Sequence, residues 1–370
     1  MPSPTKAARL IHAASDHDAD LLYATRLSVP DPFLWLAVGK KTIAVLSPLE
    51  VDRAKKSGCA DIVLCTEDLA PAGKRSAANL VALLAKQYKF RSVEVPETFP
   101  LGLAQELRRK RIGVHARSGM FFPEREIKSP EEVAHIAKAL RLAETGMERA
   151  FEVLRAAAVG KGKALRWGGK PLTSEVLRGE IDAAIIRGGG LPAGTIVAGG
   201  EQACDPHERG HGPLRADEAI ILDIFPRDQK TGYFGDLTRT VVKGTPSPAL
   251  EHLYATVQEG KAWVMKRMAP GADGPRLHKE LTARFAAAGY PTERKDGRWT
   301  GFFHGTGHSL GLEIHEPPRF GAGKFREGHI MTVEPGLYIP GLGGVRLEDL
   351  VVVTKTGVRN LTKVAERLRI

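Results

Sequence analysis

Three histidines, His304, His308 and His315, fall within twelve residues, in a stretch laced with Gly305, Gly307 and Gly311. A lone histidine is usually a satisfied structural residue, whereas a group of imidazoles can supply metal ligands and proton-transfer groups. The step from His304 to His308 has the spacing of a zincin helix. That motif needs a glutamate directly after its first histidine, however, and Gly305 stands there. The glycines argue instead for backbone pressed against a site.

Four carboxylates sit in apolar runs elsewhere. Asp223 lies in Ile221-Leu222-Asp223-Ile224-Phe225, and Asp236 in Gly235-Asp236-Leu237-Thr238-Arg239. Glu334 follows Thr332-Val333, and Glu348 follows Arg346-Leu347. Each alone has an ordinary reading as a turn residue, a surface acid or a salt-bridge partner, with Arg239 available to the aspartates. Two strands joined by a turn would bring Asp223 and Asp236 together, and an acid inside an apolar strand is costly to bury unless something neutralises it. Taken with His308, the set is four carboxylates and one imidazole. Hard oxygen ligands with one nitrogen suit Mn²⁺, Co²⁺, Fe²⁺ or Zn²⁺ better than metals that prefer soft thiolates, and Mn²⁺ or Co²⁺ is the expectation. Four negative charges balance two such ions and remove the repulsion that would keep the acids apart. Two ions about 3.5–4 Å apart can share a water, lower its pKa and clamp a developing oxyanion.

The elements that must position these residues follow from periodicity. Strands are expected at 219–225, 238–242, 330–333 and 349–353, and helices at 174–187, 248–268 and 275–288. The clearest helix start is Ser129-Pro130-Glu131-Glu132, with a capping serine, proline at the first position and Glu132 completing a capping box. Behind it Val133, Ile136, Leu140, Ala143, Met147, Phe151 and Leu154 share one face, a core stripe. Before a boundary near Phe122-Pro123, strands at 33–38, 42–46, 61–64 and 92–95 alternate with helices at 80–88 and 103–109. The expected architecture is α+β, with a smaller layered α/β domain at residues 1–125 and a catalytic domain at 126–370.

Composition bounds the rest. A chain of 370 residues, 42% hydrophobic, can fill two cores. The +11 formal charge forms no long run or stripe, which reads as a solvated basic surface and not a nucleic-acid or membrane site. The tight cluster Arg108-Arg109-Lys110-Arg111 reads as an exposed helix end. No strand is followed by a phosphate loop or a GxGxxG. Cys59, Cys65 and Cys204 make no pairing framework and no CxxC, favouring a reducing, cytoplasmic compartment. Residues 1–6 lack the apolar run of a signal peptide, and no stretch approaches the roughly 20 apolar residues of a membrane span.

The motifs GYFGDLTRT, HGTGHSLGLEIHEPP, TVEPGLYI and GVRLEDLVVV, in that order between residues 232 and 353, resemble those of the pita-bread metallopeptidases, and the N-terminal domain is similar to the creatinase/prolidase type. The resemblance implies that Asp223 holds one metal, that Asp236 and Glu348 bridge both, and that His308 and Glu334 hold the other. It further implies a bridging water or hydroxide that attacks the scissile carbonyl, with Glu334 taking its proton and His315 stabilising the oxyanion. His207 matches the family's substrate-side histidine. His304 and Arg346 match substrate-positioning residues, Arg346 as a candidate for a carboxylate. His211 matches no role. One departure is clear: family members commonly show Asp-x-Gly at the first ligand with the second aspartate about eleven positions on. Here Phe225 replaces that glycine and Asp236 lies thirteen positions on, an insertion expected to lengthen the hairpin turn.

The retained ligands set the chain apart from metal-free creatinase, and the N-terminal domain sets it apart from simple methionine aminopeptidases. The resemblance therefore implies the Xaa-Pro branch: a prolidase-type dipeptidase or short aminopeptidase P, acting on proline-containing peptides, as a homodimer. A non-catalytic binding protein on the same scaffold, or a hydrolase of another small amide, remain the alternatives.

Overall fold

The computed structural model describes residues 8–370; residues 1–6, read above for a leader, lie outside the described residues. The chain divides into two compact units between Pro123 and Glu124.

In the first unit, strands β1 (Ala8–Ala13), β2 (Phe33–Val38), β3 (Lys41–Leu46), β4 (Ile62–Cys65), β5 (Ser92–Pro96) and β6 (Gly113–Arg117) form one mixed sheet in the order β4-β3-β2-β1-β5-β6. Successive side chains alternate between its faces, so both faces need cover. Leu34, Leu36, Ile43 and Val93 pack with α3 (Ala77–Tyr88) and α4 (Leu101–Arg109). Trp35, Ala44 and Leu46 pack on the other face with α1 (Ala19–Thr25) and α2 (Val51–Ser57).

The second unit opens with α5 (Pro130–Ala156). Its capping box forms as the sequence requires: Ser129 Oγ accepts from Glu132 N at 3.2 Å, and Glu132 Oε2 accepts from Ser129 N at 2.9 Å. Helix α6 (Ser174–Arg187) lies against it, and Gly146 permits the approach, since a Cβ there would meet Ile181 Cγ2 at 3.0 Å. The pair backs an antiparallel sheet whose central strand is β9 (Ile220–Ile224), flanked by β8 (Ile196–Gly199) and β11 (Leu237–Val241). The second half repeats this plan. Helices α7 (Pro248–Met265) and α8 (Gly274–Ala287) pack behind β14 (Ile330–Val333) and β17 (Asp349–Val353), with the hairpin β15 (Gly336–Ile339)/β16 (Gly343–Arg346) beside them. No helix among the described residues is long and apolar enough to cross a membrane.

The insertion between Asp223 and Asp236 does more than lengthen a turn. It forms a two-residue strand, β10 (Arg227–Asp228), which pairs with β7 (Gly190–Leu191) at the end of α6. Asp228 accepts from Thr231 N and Oγ1 and from Lys138 Nζ of α5, so the excursion is tied down at both ends.

Candidate metal centre and active site

The candidate residues reach one place through the sheets. Asp223 is the fourth residue of β9, opposite Ile196 on β8 and Thr238 on β11. Asp236 sits directly before β11, held there by Gly235, whose hypothetical Cβ would stand 2.3 Å from Leu140 N of α5. His308 lies on the short strand β12 (His308–Ser309), paired with β13 (Glu316–Arg319). Gly307 lets that segment press on β14, since a Cβ there would meet Thr332 O at 2.0 Å. Glu334 follows β14, and Glu348 lies between β16 and β17. No part of residues 304–308 is helical, in keeping with the missing zincin glutamate.

These side chains crowd against one another. His308 Nε2 is 3.2 Å from Glu334 Oε1 and 3.7 Å from Asp236 Oδ2. Asp236, His308 and Glu348 each offer a ligand atom within 4.8 Å of the others. Thr238 Oγ1 lies 2.9 Å from Asp223 Oδ1 and 2.7 Å from Glu348 Oε2, placing one hydroxyl hydrogen between two carboxylates. Buried Asp236 Oδ1 and Glu348 Oε1 have no hydrogen-bond partner. Burial, then mutual repulsion, pushes Asp236 and Glu348 well above the ordinary carboxylate range, and burial lifts Glu334 to about 7.

That donor set fits divalent cations. His308 Nδ1 is placed to donate to Ser309 O at 3.1 Å, which leaves the Nε2 lone pair facing two carboxylates. Burial lowers His308 to about 4, so an imidazolium does not relieve that contact near neutral pH. A cation between the lone pair and the acids would satisfy the nitrogen, the unpartnered oxygens and the repulsion together.

Around the cluster lies a cavity of about 580 Å³, and all nine candidate residues line it: His207, Asp223, Asp236, His304, His308, His315, Glu334, Arg346 and Glu348. His315 meets His308 edge to face, with ring centroids 4.3 Å apart, and burial followed by the neighbouring charge of His308 lowers it to about 4. His304 contacts Tyr338 Oη at 2.9 Å, and burial lowers it to about 3. His211 is not among the lining residues; its backbone N–H donates to Gln202.

Two expectations change. Arg346 is buried and engaged, donating to Asp223 Oδ2 at 2.7 Å, to Tyr338 Oη at 3.1 Å and to Pro206 O at 3.2 Å. Its guanidinium orients a candidate ligand, so it is poorly placed to receive a substrate carboxylate. Arg239 does not partner Asp223 or Asp236. It turns away to Asp349 Oδ1 at 2.8 Å, where Lys261 also binds, and bonds the Glu348 carbonyl on the way.

Sequence reasoning passed over Arg319, Tyr338 and Thr238. Arg319 pairs in register with His308, is exposed, and lines the cavity. The signal was its position at the end of HEPP, on the strand leaving His315. Below it, Glu316 is buried and held by Lys128 Nζ at 2.5 Å and Arg125 Nη2 at 2.6 Å, which anchors the His315 segment.

A caged cluster of acids and imidazoles inside a peptide-sized cavity, on this arrangement of helix pairs and sheets, marks the protein as a metallopeptidase, an enzyme of peptide bonds that works with divalent metal ions. The chain belongs to metallopeptidase family M24, whose sequence model matches residues 134–355. It is 29% identical over 290 residues to the Xaa-Pro dipeptidase of Pyrococcus horikoshii, covering 75% of each chain. In structure it is similar to the X-Pro aminopeptidase of Thermotoga maritima, with a TM-score of 0.83 at 20% identity over 98% of this chain and 97% of that one. The Xaa-Pro dipeptidase of Bacillus anthracis superposes with a TM-score of 0.82 at 23% identity, over 98% and 95%. The fold is therefore the pita-bread fold that the motifs implied.

Proposed function

We propose that the protein is a dinuclear metal-dependent Xaa-Pro dipeptidase of prolidase type. The observation that carries the metal centre is the pair of buried, unpartnered oxygens, Asp236 Oδ1 and Glu348 Oε1, on two acids that each offer a ligand atom within 4.8 Å of His308's. Asp223, Asp236, His308, Glu334 and Glu348 would hold the ions, with Asp236 and Glu348 shared, and Mn²⁺ or Co²⁺ suits this oxygen-rich set. When bound, the ions supply charge neutralisation, polarisation of the scissile carbonyl and a water made nucleophilic near neutral pH.

The chain's own groups do the remaining work. Glu334, whose Oε1 lies 3.2 Å from His308 Nε2, would take up the proton that the attacking water gives up. His315 and His207 line the cavity, and His315 at about 4 is a neutral imidazole whose N–H can donate to a developing oxyanion. His304 is a neutral donor or acceptor fixed by Tyr338. Arg346 holds Asp223 in place, and Arg319 is the cation open to a free carboxylate one residue beyond the cleaved bond.

Arg319 favours the dipeptidase over the aminopeptidase, because a longer peptide presents no carboxylate at that distance. The names of the relatives favour proline after the scissile bond. The three free thiols suit a cytoplasmic setting, and a homodimer is the expected assembly, to be checked by light scattering. The test is hydrolysis of Ala-Pro, Gly-Pro and Ala-Pro-Ala by chelated protein resupplied with Mn²⁺ or Co²⁺. Metal-restored cleavage of the dipeptides, with the tripeptide slower, is expected. Failure to cleave any of the three would sink the reading.

A further inference from the structure

We propose that Phe225 is a specificity-determining residue, its ring forming the apolar wall that receives the side chain of the peptide's N-terminal residue. The inference rests on the cavity being a dipeptide site, but it does not depend on proline.

Strand alternation places the ring. Ile220, Leu222 and Ile224 are fully buried on the core face of β9, so Asp223 and Phe225 project to the opposite, cavity face. Ile224 pairs with Leu237, and Arg227 bridges to Phe234 in the same register, which sets Phe225 opposite Asp236. The tip of the ring lies by Gly194, where φ is +101° and a Cβ would stand 3.5 Å from Phe225 Cζ, an ordinary contact distance. Phe225 is half-buried and lines the cavity, with Ile196 beside it across from Asp223. A large aromatic ring is thus held at the rim of the acidic cluster with apolar area still uncovered.

Charge orients the substrate along this wall. The carboxylate of a dipeptide is drawn to Arg319, which pairs with His308. Its scissile carbonyl must reach the acidic cluster that would hold the cations, where Asp223 is more open than Asp236 or Glu348. The N-terminal residue therefore lies alongside β9, with its side chain against Phe225. An isobutyl group laid on that ring loses apolar surface to it, while a glycine has nothing to place there.

The experiment compares kcat/KM for Leu-Pro and Gly-Pro, and for Leu-Ala and Gly-Ala, in the wild-type enzyme, Phe225→Gly and Phe225→Leu. Affinities for the same four dipeptides are measured calorimetrically on chelated protein. Removing the ring is expected to cost the leucyl substrates roughly tenfold and the glycyl substrates less than about twofold, with Phe225→Leu recovering most of the loss. Equal losses on both classes would make Phe225 a structural support of the centre and overturn the proposal, as would no loss on either. If the wild type cleaves only the alanyl pair, the proline reading fails, while the leucyl-to-glycyl ratio still decides the role of Phe225. No binding or cleavage of any of the four would overturn both.

Discussion

Arg346 Nη2 donates to Asp223 Oδ2 at 2.7 Å, joining residues 123 positions apart into a buried ion pair at the edge of the acidic cluster. The pair settles the geometry of Asp223 before any cation arrives. Removing the arginine leaves that acid largely buried among other acids. Arg346→Met is expected to destabilise the chelated protein by about 3 kcal/mol or more, and the Mn²⁺-loaded protein by less, because bound cations take over the compensation. Denaturant titration with and without metal checks the difference; equal losses in both states would contradict it.

The exposed guanidinium of Arg319 lines the cavity, where its proposed role is binding and not chemistry. Arg319→Gln is expected to raise KM for Gly-Pro roughly tenfold, the loss of one charge-assisted contact, with kcat nearly unchanged. The C-terminal amide of the same dipeptide, which lacks the charge, should bind the variant and the wild type equally. A variant that loses kcat with KM unchanged would place Arg319 in the chemistry.

The buried Lys128–Glu316–Arg125 cluster fixes the segment that carries His315. Glu316→Leu takes the one carboxylate from buried Lys128 and leaves Arg125 with Glu313 alone, and is expected to cost about 3–5 kcal/mol, which lowers the melting temperature by roughly 10 °C. A melting curve within about 2 °C of the wild type would contradict that anchoring role.

Burial, with mutual repulsion, raises Asp236 and Glu348 and holds Glu334 at about 7, so the folded, metal-free protein keeps protons that the unfolded chain releases near 4.5. Stability from Glu334 is present at low pH and lost as pH rises toward 7. His308 and His315, lowered to about 4 from 6.5, act in the opposite sense, but only below 6.5. From pH 6.5 up to about 7 the carboxylates therefore dominate this site. The melting temperature of chelated protein should fall across that window. Mn²⁺ binding near pH 6.5 should release protons, giving calorimetric heats that depend on the buffer's ionisation enthalpy. Heats independent of buffer would contradict the assignment.

Much of the candidate site was legible because its residues break local rules: acids in apolar strands and glycines crowding histidines. Helix α6 and strands β14 and β17 fall on the expected residues, since their periodicity is uninterrupted. Strand β1 escaped notice because Arg9 and His12 interrupt its apolar run; the Arg9 guanidinium lies over the rings of Phe121 and Phe122. The partners of Arg346, the opening of Arg319 to the cavity and the wall made by Phe225 depend on cross-strand register. Register is a relation between distant segments, and spacing along one segment does not contain it. The same holds for β10, whose partner at residues 190–191 is the short strand β7 that follows α6.

The central proposal is that Asp236 would help hold two cations on which catalysis depends. It is tested most directly by counting Mn²⁺ ions per chain in wild-type and Asp236→Asn proteins, reloaded after chelation, alongside Gly-Pro hydrolysis by the same samples. The account predicts two ions and metal-restored cleavage in the wild type, and fewer than two ions with cleavage abolished in the variant. A variant that keeps both ions and its activity would contradict it.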